Sequence, residues 1–410
     1  MYLSTVDKPA GLTGRGRWSL VGGNVFALGT VSLITDISSE MVTAILPLYL
    51  VIGLQLSPLA YGVVDGLYTG STALLRLAGG YLADRTHRRK AIAGLGYGLS
   101  AVCKLGLVAV GNSVAGIGAV ITADRTGKGL RTAPRDALIT LSSPPDVLGR
   151  AFGLHRMMDS AGAFLGPLVA IAVLAAAGQA FDAVFVVSFC IAALAVVVLV
   201  LFVRDQRSAV AAKAVSLRAA SGLLRDRAVV RLLIGACLLG CATIGDGFVY
   251  LMLQQRESIS TGWFPLLAVG TNAAYLVLAT PIGVLADRVG RLPVLLGGYL
   301  ALGAAYLMVF GFAHGWPLLV ATLALYGLFY AASDGVLMAL AGPLLPEHLR
   351  TTGIALIQSG QALSYLLSSV LFGLAWQLYG PAAASRIAAV AVGLAIVATL
   401  VLLRARKVAA

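Results

Sequence analysis

Charge is what this 410-residue sequence has least of. Asp, Glu, Lys and Arg make up 11% of it against 59% hydrophobic residues, where soluble domains run near a quarter charged. The mean hydropathy is +0.92. A chain this poor in charge cannot cover its apolar surface in water, so an ordinary soluble enzyme or binding domain is excluded and a lipid bilayer is the expected surrounding. Cysteine is scarce too. Cys103, Cys190, Cys237 and Cys241 all fall inside apolar runs, which reads as small buried hydrophobes rather than a disulfide or metal site. The four histidines are scattered, so no transition-metal cluster is visible. A compact signal-peptide pattern before the first long run, a Walker phosphate loop and a nucleophile–base pairing are also missing. Those absences argue against hydrolytic or ATP-driven chemistry, and no cofactor is expected.

What is present is a series of twelve apolar runs, at residues 23–51, 58–82, 91–111, 113–136, 149–176, 180–203, 228–253, 262–285, 292–313, 316–341, 351–378 and 383–404. A helix of ~20 residues crosses a hydrocarbon core of about 30 Å, so each run is long enough to span. The fourth carries many charges and has the weakest hydropathy. Loops after even-numbered runs are basic: Arg85, Arg88, Arg89 and Lys90; Arg204 to Arg227; Arg288 and Arg291; Arg404, Arg406 and Lys407. Loops after odd-numbered runs are short and nearly uncharged, with Arg256 and Arg386 as exceptions. The positive-inside rule then places both termini and the 204–227 linker in the cytoplasm of a multi-pass protein of the cell (inner or plasma) membrane. Most of the net charge of +13 is accounted for by this topology and by attraction to anionic lipid; nucleic acid is not needed to explain it.

The linker separates six runs from six, and the sequence repeats across it. Gly80-Tyr81-Leu82-Ala83-Asp84-Arg85-Thr86-His87-Arg88 and Gly283-Val284-Leu285-Ala286-Asp287-Arg288-Val289-Gly290-Arg291 both read G-x-L-A-D-R-x-x-R, after the second run of each half. Two parallel halves, 1–203 and 228–410, are the expected consequence. Physically, Gly80 and Gly283 allow close helix approach. Asp84 and Asp287 can accept from a helix N-terminus across the half interface, with Arg85, Arg88, Arg288 and Arg291 holding the basic surface. A simple topology anchor is the alternative.

With twelve runs, a central linker and this doubled motif, essentially the whole chain resembles the major facilitator superfamily. The resemblance implies an all-α integral membrane fold of twelve transmembrane helices in two six-helix halves. It also implies a secondary transporter in which the motif locks one conformational state. The family's glycine after the variable position is present as Gly290 but is replaced by His87 in the first copy. In the fifth run Gly153, Gly162 and Gly166-Pro167 are similar to the motif of the family's proton-driven drug antiporters, with Ala170 and Ile171 where a glycine pair is usual. Close helix packing alone would also explain those glycines.

Ionisable groups at membrane depth are costly and mark candidate sites. Asp36 and Glu40 are four apart in the first run. Asp124, Arg125, Lys128, Arg131 and Arg135 fall within an arc of about 120° on the fourth, where Asp124 and Lys128 could neutralise each other. Arg125 stands where the family usually has an arginine linked to proton coupling, in a pattern R-x-x-Q-G; here Lys128 replaces the glutamine. Asp36 or Glu40, facing Arg125, is therefore expected to carry the proton, with Asp159 beside Arg156 and His155 as a second candidate. A fixed salt-bridge network is the alternative. Asp65, Arg76 and Lys104 are assigned to helix–helix pairing. The second half offers Asp246 and Asp334, with Tyr326, Tyr330, Gln358, Gln361 and Tyr365 as hydrogen-bonding or packing groups. The resemblance implies that runs one, four, seven and ten line a central cavity, so the expected substrate cavity holds Asp124, Lys128, Arg131, Asp246, Tyr330, Asp334, Gln358 and Gln361. The whole predicts a monomeric proton-coupled antiporter exporting a small drug-like, amphipathic or metabolite solute. The alternatives are a symporter importing a small organic anion, a membrane enzyme and a non-transporting receptor.

Overall fold

The computed structural model describes residues 22–86, 88–144, 147–205, 222–333, 335–346 and 350–404; within these, the side chains of 73–86, 350–352 and 404 lie outside the description. The described residues are helical, without strands. The first half contains α1 (Gly23–Leu48, prolonged by a π turn at Tyr49–Gly53), α2 (Pro58–Thr86), α3 (Arg89–Ala109), α4 (Val114–Leu141), α5 (Leu148–Ala176) and α6 (Phe181–Phe202). The second contains α7 (Arg227–Cys241), α8 (Asp246–Glu257), α9 (Pro265–Val289), α10 (Arg291–Met308), α11 (Gly315–Ser333), α12 (Val336–Ala341), α13 (Arg350–Tyr379) and α14 (Pro381–Arg404). Crossings seven and ten are thus each broken into two helices, α7–α8 and α11–α12. The helices start where the chain offers start signals: Ser113 accepts from the Gly116 N–H, Asp226 from the Ala228 N–H, and Pro58, Pro265 and Pro381 open α2, α9 and α14.

Ten segments among the described residues are both long and apolar enough to cross a membrane. The other two crossings are α2 and α4, with 29 and 28 residues. Length suffices there; charge lowers their hydropathy. Ile and Leu, Val and Phe side chains stand outward on α6 and α14, among them Val197, Val200, Leu201, Leu394, Val397 and Val401, the face that lipid covers.

The break in crossing seven spans Ala242–Gly245 and contains no proline. Free backbone groups in hydrocarbon must find partners inside the protein, and here tyrosines supply them. The Ile244 N–H donates to Tyr306 Oη at 2.8 Å, and Tyr326 Oη–H donates to the Ile244 carbonyl at 2.5 Å. Both tyrosines are fully buried. The break in crossing ten follows Ser333, with Gly335 at φ +79°, a backbone conformation that suits glycine. Asp334 lies outside the described residues.

Within the first half α1 packs on α5 and α6, and α4 on α2 and α3; within the second, α11 packs on α9 and α10, and α13 and α14 on α7. The halves meet chiefly where α2 lies along α13 and α5 approaches α9. The α2–α13 contact occupies the first three turns of α2, at the end of the bundle away from the basic loops. A Cβ on Gly62 would stand 2.4 Å from the Ser369 carbonyl oxygen, one on Gly66 3.0 Å from that of Leu366, and one on Gly373 2.4 Å from that of Pro58. Gly70 abuts the Leu366 side chain. Glycine at every fourth residue lets the two backbones touch. A large apolar core draws on both halves, whereas at the basic end Val25, Leu28, Val31, Tyr97, Leu138 and Leu199 form a separate core of the first half alone. Among the described residues, the bundle is joined across its neutral end.

Candidate functional site

Two glycines set the geometry of the first acidic group. A Cβ on Gly162 would sit 2.5 Å from the Leu33 carbonyl oxygen and 3.1 Å from Asp36 Cβ; one on Gly166 would sit 2.6 Å from Glu40 Cβ and 2.8 Å from the Ile37 carbonyl oxygen. Helix α5 therefore lies directly on the face of α1 that carries Asp36 and Glu40. One turn before Gly162, Asp159 comes against Asp36, and the two carboxyl groups are within hydrogen-bonding reach. Gly153 plays no such part, since nothing stands within 4 Å of a Cβ there; it faces outward on the first turns of α5.

Cations approach this pair from α4. Lys128 and Arg131 are the basic groups acting on Asp36, and Lys128 with Arg125 on Glu40. Asp36, Glu40, Lys128 and Asp159 all keep partial exposure although they lie at mid-helix. Arg135 reaches Asp159 at 3.9 Å, Asp136 at 3.0 Å and Ser32 Oγ at 3.3 Å, and Ser32 Oγ lies 2.9 Å from His155 Nε2. Arg156 is exposed and turned away from this group.

The sequence expectation for Asp124 and Arg125 needs correction. Gly127 of α4 crosses Gly96 of α3 so closely that a Cβ on either would stand 2.6 Å from the other's carbonyl oxygen. This turns Asp124 toward α3 and away from both Lys128 and the central cavity. Its carboxylate accepts from Ser100 Oγ at 2.5 Å, from Arg125 Nε at 2.9 Å and from an Arg125 terminal nitrogen, with Lys104 Nζ at 3.6 Å. Lys104 thus pairs helix to helix. Arg125 is bound to its own neighbour and stacks over the Tyr68 ring at 3.8 Å, so the cation facing Asp36 is Lys128 rather than Arg125. Arg131 lies over the Tyr97 ring at 4.7 Å and is buried, a wall residue more than an open cavity group.

On the second half, Asp246 begins α8 directly after the break and has Tyr250 Oη at 3.4 Å. Tyr330 packs on Tyr326 with ring centroids 5.4 Å apart, and Gln361 Nε2 points to Tyr299 Oη at 3.5 Å. Tyr330, Gln358 and Gln361 are half-buried on α11 and α13. Sequence reasoning assigned Asp65 to pairing without a partner; the partner is in the other half. Asp65 accepts from Tyr365 Oη at 2.8 Å and lies 2.7 Å from Ser369 Oγ, close to Asp246 and Gly245. The Gly62-Gly66-Gly70 spacing is the signal that could have pointed to this seam.

Of the doubled motif, the side chains of Asp84 and Arg85, and the surroundings of Gly80, lie outside the described residues. Arg88, Asp287 and Arg288 are exposed. Among the described residues Gly283 meets nothing within 4 Å of a Cβ, so the close approach expected there is not made by any of them. Gly290 ends α9 at φ +107°, the turn the glycine was expected to make, and Arg291 donates to the Ala339 carbonyl at 2.6 Å.

Comparison with known proteins gives a consistent result. The sequence profile described as Major Facilitator Superfamily matches residues 28–271 and 258–410. An uncharacterized MFS-type transporter of Methanocaldococcus jannaschii is 32% identical over 367 residues, covering 87% of this chain and 89% of that protein. An uncharacterized protein of Mycobacterium tuberculosis is 33% identical over 158 residues, 38% of each chain. Among solved structures, a mutant of the nucleoside transporter NupG is similar at TM-score 0.81 with 14% identity, covering 92% of this chain and 99% of that one. A POT family transporter in complex with 5-aminolevulinic acid is similar at TM-score 0.76 with 15% identity, covering 93% and 96%. At those identities the structures speak for the fold alone; the family is shown by the profile and the archaeal relative. This chain belongs to the major facilitator superfamily.

Proposed function

We propose that the protein is a proton-coupled secondary transporter that exports a small organic solute by antiport. The observation that carries the reading is the close approach of the Asp36 and Asp159 carboxyl groups between α1 and α5. Two carboxyl groups share a hydrogen bond only when one holds a proton, because only then is there a donor between them. Lys128 and Arg131 lie beside the pair as charge partners, and partial exposure gives it a route to water. Protonated, the pair closes on itself; deprotonated, it turns to Lys128. The glycines that seat α5 on α1 are those that resemble the antiporter motif, so the feature favouring export and the feature placing the acids are one.

With the basic loops in the cytoplasm, the seam between α2 and α13 would lie on the outer side. The proton gradient is the energy source, and 1–203 and 228–410 are the moving halves joined by 204–227. A second reading, import of an organic anion by symport, draws support from the basic wall formed by Lys128, Arg131 and Arg135. Purified protein in vesicles containing a pH-sensitive dye tests both. A solute gradient that moves protons in the opposite direction to the solute supports antiport; co-movement supports symport; solute flux with no proton movement in the wild type overturns coupling altogether. Asp36→Asn and Asp159→Asn are each expected to leave solute binding while abolishing the proton signal.

A further inference from the structure

Two polar side chains of α2 reach into the break of crossing seven through openings that only glycine leaves. A Cβ on Gly245 would stand 2.7 and 2.9 Å from the two Asp65 carboxylate oxygens, and one on Gly247 would overlap Tyr61 Oη. Asp246 lies between those glycines, in the first turn of α8, and Tyr61 and Asp65 are one turn apart on α2. The three side chains thus meet at the seam between the halves. Tyr61 is 3% exposed, its ring set edge-on against Phe248 with centroids 4.6 Å apart. Its Oη makes no hydrogen bond to the described residues, and the charges acting on it are those of Asp65 and Asp246. Asp65 takes the Tyr365 and Ser369 hydroxyls on Oδ2 alone, which leaves its Oδ1, against Gly245, without a donor among the described residues. Asp246 has Tyr250 Oη at 3.4 Å and the neighbouring Gly247 N–H.

What this cradle lacks is a positive charge. Among the described residues no lysine or arginine acts on Asp65, and the charges acting most strongly on Asp246 are two other acids, Asp65 and Glu40. The N-terminus of α8 offers only about half a charge against two carboxylates whose removal from water is costly. A proton shared between them, as between Asp36 and Asp159, does not fit, because these two act on each other without a hydrogen bond. Calcium and magnesium take about six or more oxygens, which the cradle does not supply. We infer that the seam binds one sodium-sized monovalent cation, held by Asp65, Asp246 and Tyr61 Oη. Bridging α2 and α8, the ion would tie the two halves together at the neutral end.

The full-length transporter, purified into N-methylglucamine chloride, tests this without any transport assay. Sodium replacing N-methylglucamine at constant pH and ionic strength is expected to raise the melting temperature saturably. In crystals a thallium soak is expected to give an anomalous peak between Asp65 and Asp246. Asp65→Asn and Asp246→Asn should each abolish the saturable rise. Tyr61→Phe, which keeps the ring and removes one oxygen from a charged ligand, should raise the half-saturating sodium concentration about tenfold. If the asparagine variants fail to fold, Tyr61→Phe and the thallium peak decide. Melting that ignores sodium, that responds to calcium instead, or that responds to sodium equally in both asparagine variants overturns the inference. Proton coupling stands or falls separately, since neither readout involves flux.

Discussion

Tyr365 on α13 donates its phenolic proton to Asp65 on α2 at 2.8 Å, across the boundary between the two halves. Ser369, one turn further along α13, reaches the same carboxylate at 2.7 Å. A carboxylate held by two hydroxyls from the opposite half is a latch on the closed end of the bundle. Hydrogen bonds to charged groups contribute about 1.5–3 kcal/mol, so Tyr365→Phe should shift the balance toward the state open at that end by about tenfold or more. Spin labels at the neutral ends of α2 and α13 would report it. An unchanged distance distribution would remove the latch from the account.

The glycine ridge beneath that latch should tolerate nothing larger. Gly66→Leu would drive a side chain into Leu366, whose Cα stands 3.1 Å from the position of a Cβ, and overpacking of this kind costs about 1–3 kcal/mol. Cysteines introduced at the seam are expected to become reactive toward impermeant thiol reagents. Gly393→Leu, where nothing stands within 4 Å, is the control, and equal effects at both positions would refute the ridge.

Gly166→Leu should separate α5 from α1 and part Asp159 from Asp36. The expected outcome is a folded protein that binds solute but no longer moves protons with it. Proton-coupled flux near the wild-type rate in this variant would place the carrier elsewhere.

Removing the hydroxyl of Tyr306 or Tyr326 orphans a backbone group of Ile244 in a region without water. An unsatisfied buried group costs about 1–3 kcal/mol, so Tyr326→Phe is expected to lower the melting temperature measurably in detergent. The double variant Tyr306→Phe with Tyr326→Phe should do less harm than the sum if crossing seven re-forms a continuous helix. Unaltered melting in both single variants would mean that the break needs no hydroxyl support.

Much of this fold was legible because the bilayer imposes a minimum length on every crossing. Even α2 and α4 could be found from their length and flanks, though Asp65, Asp124 and Arg125 spoil their hydropathy. The breaks were not legible. Ala242-Thr243-Ile244-Gly245 contains one glycine and no proline, and the tyrosines that satisfy it lie far along the chain. Asp124 was misassigned for a similar reason: Lys128 is its neighbour by helical periodicity, but the Gly96–Gly127 crossing brings Ser100 and Lys104 nearer. Arg256, which breaks the charge pattern of the neutral loops, is spent on the carbonyls of Val309, Gly311 and Ala313, the last two at 2.6 and 2.9 Å. Its role is to end α10, and no topology rule could have revealed that.

The seam of Gly62, Gly66 and Gly70 has a mechanical meaning. Where bulky side chains interlock, one surface must be lifted clear of the other before it can turn; two smooth backbones can roll in place. Helix α2 has 29 residues and so is about 43 Å long at 1.5 Å per residue. A roll of about 10° at one end would carry the far end through about 7 Å over that length. The seam works as a bearing, and the long helices are the levers that turn a small rotation at one rim into a doorway at the other.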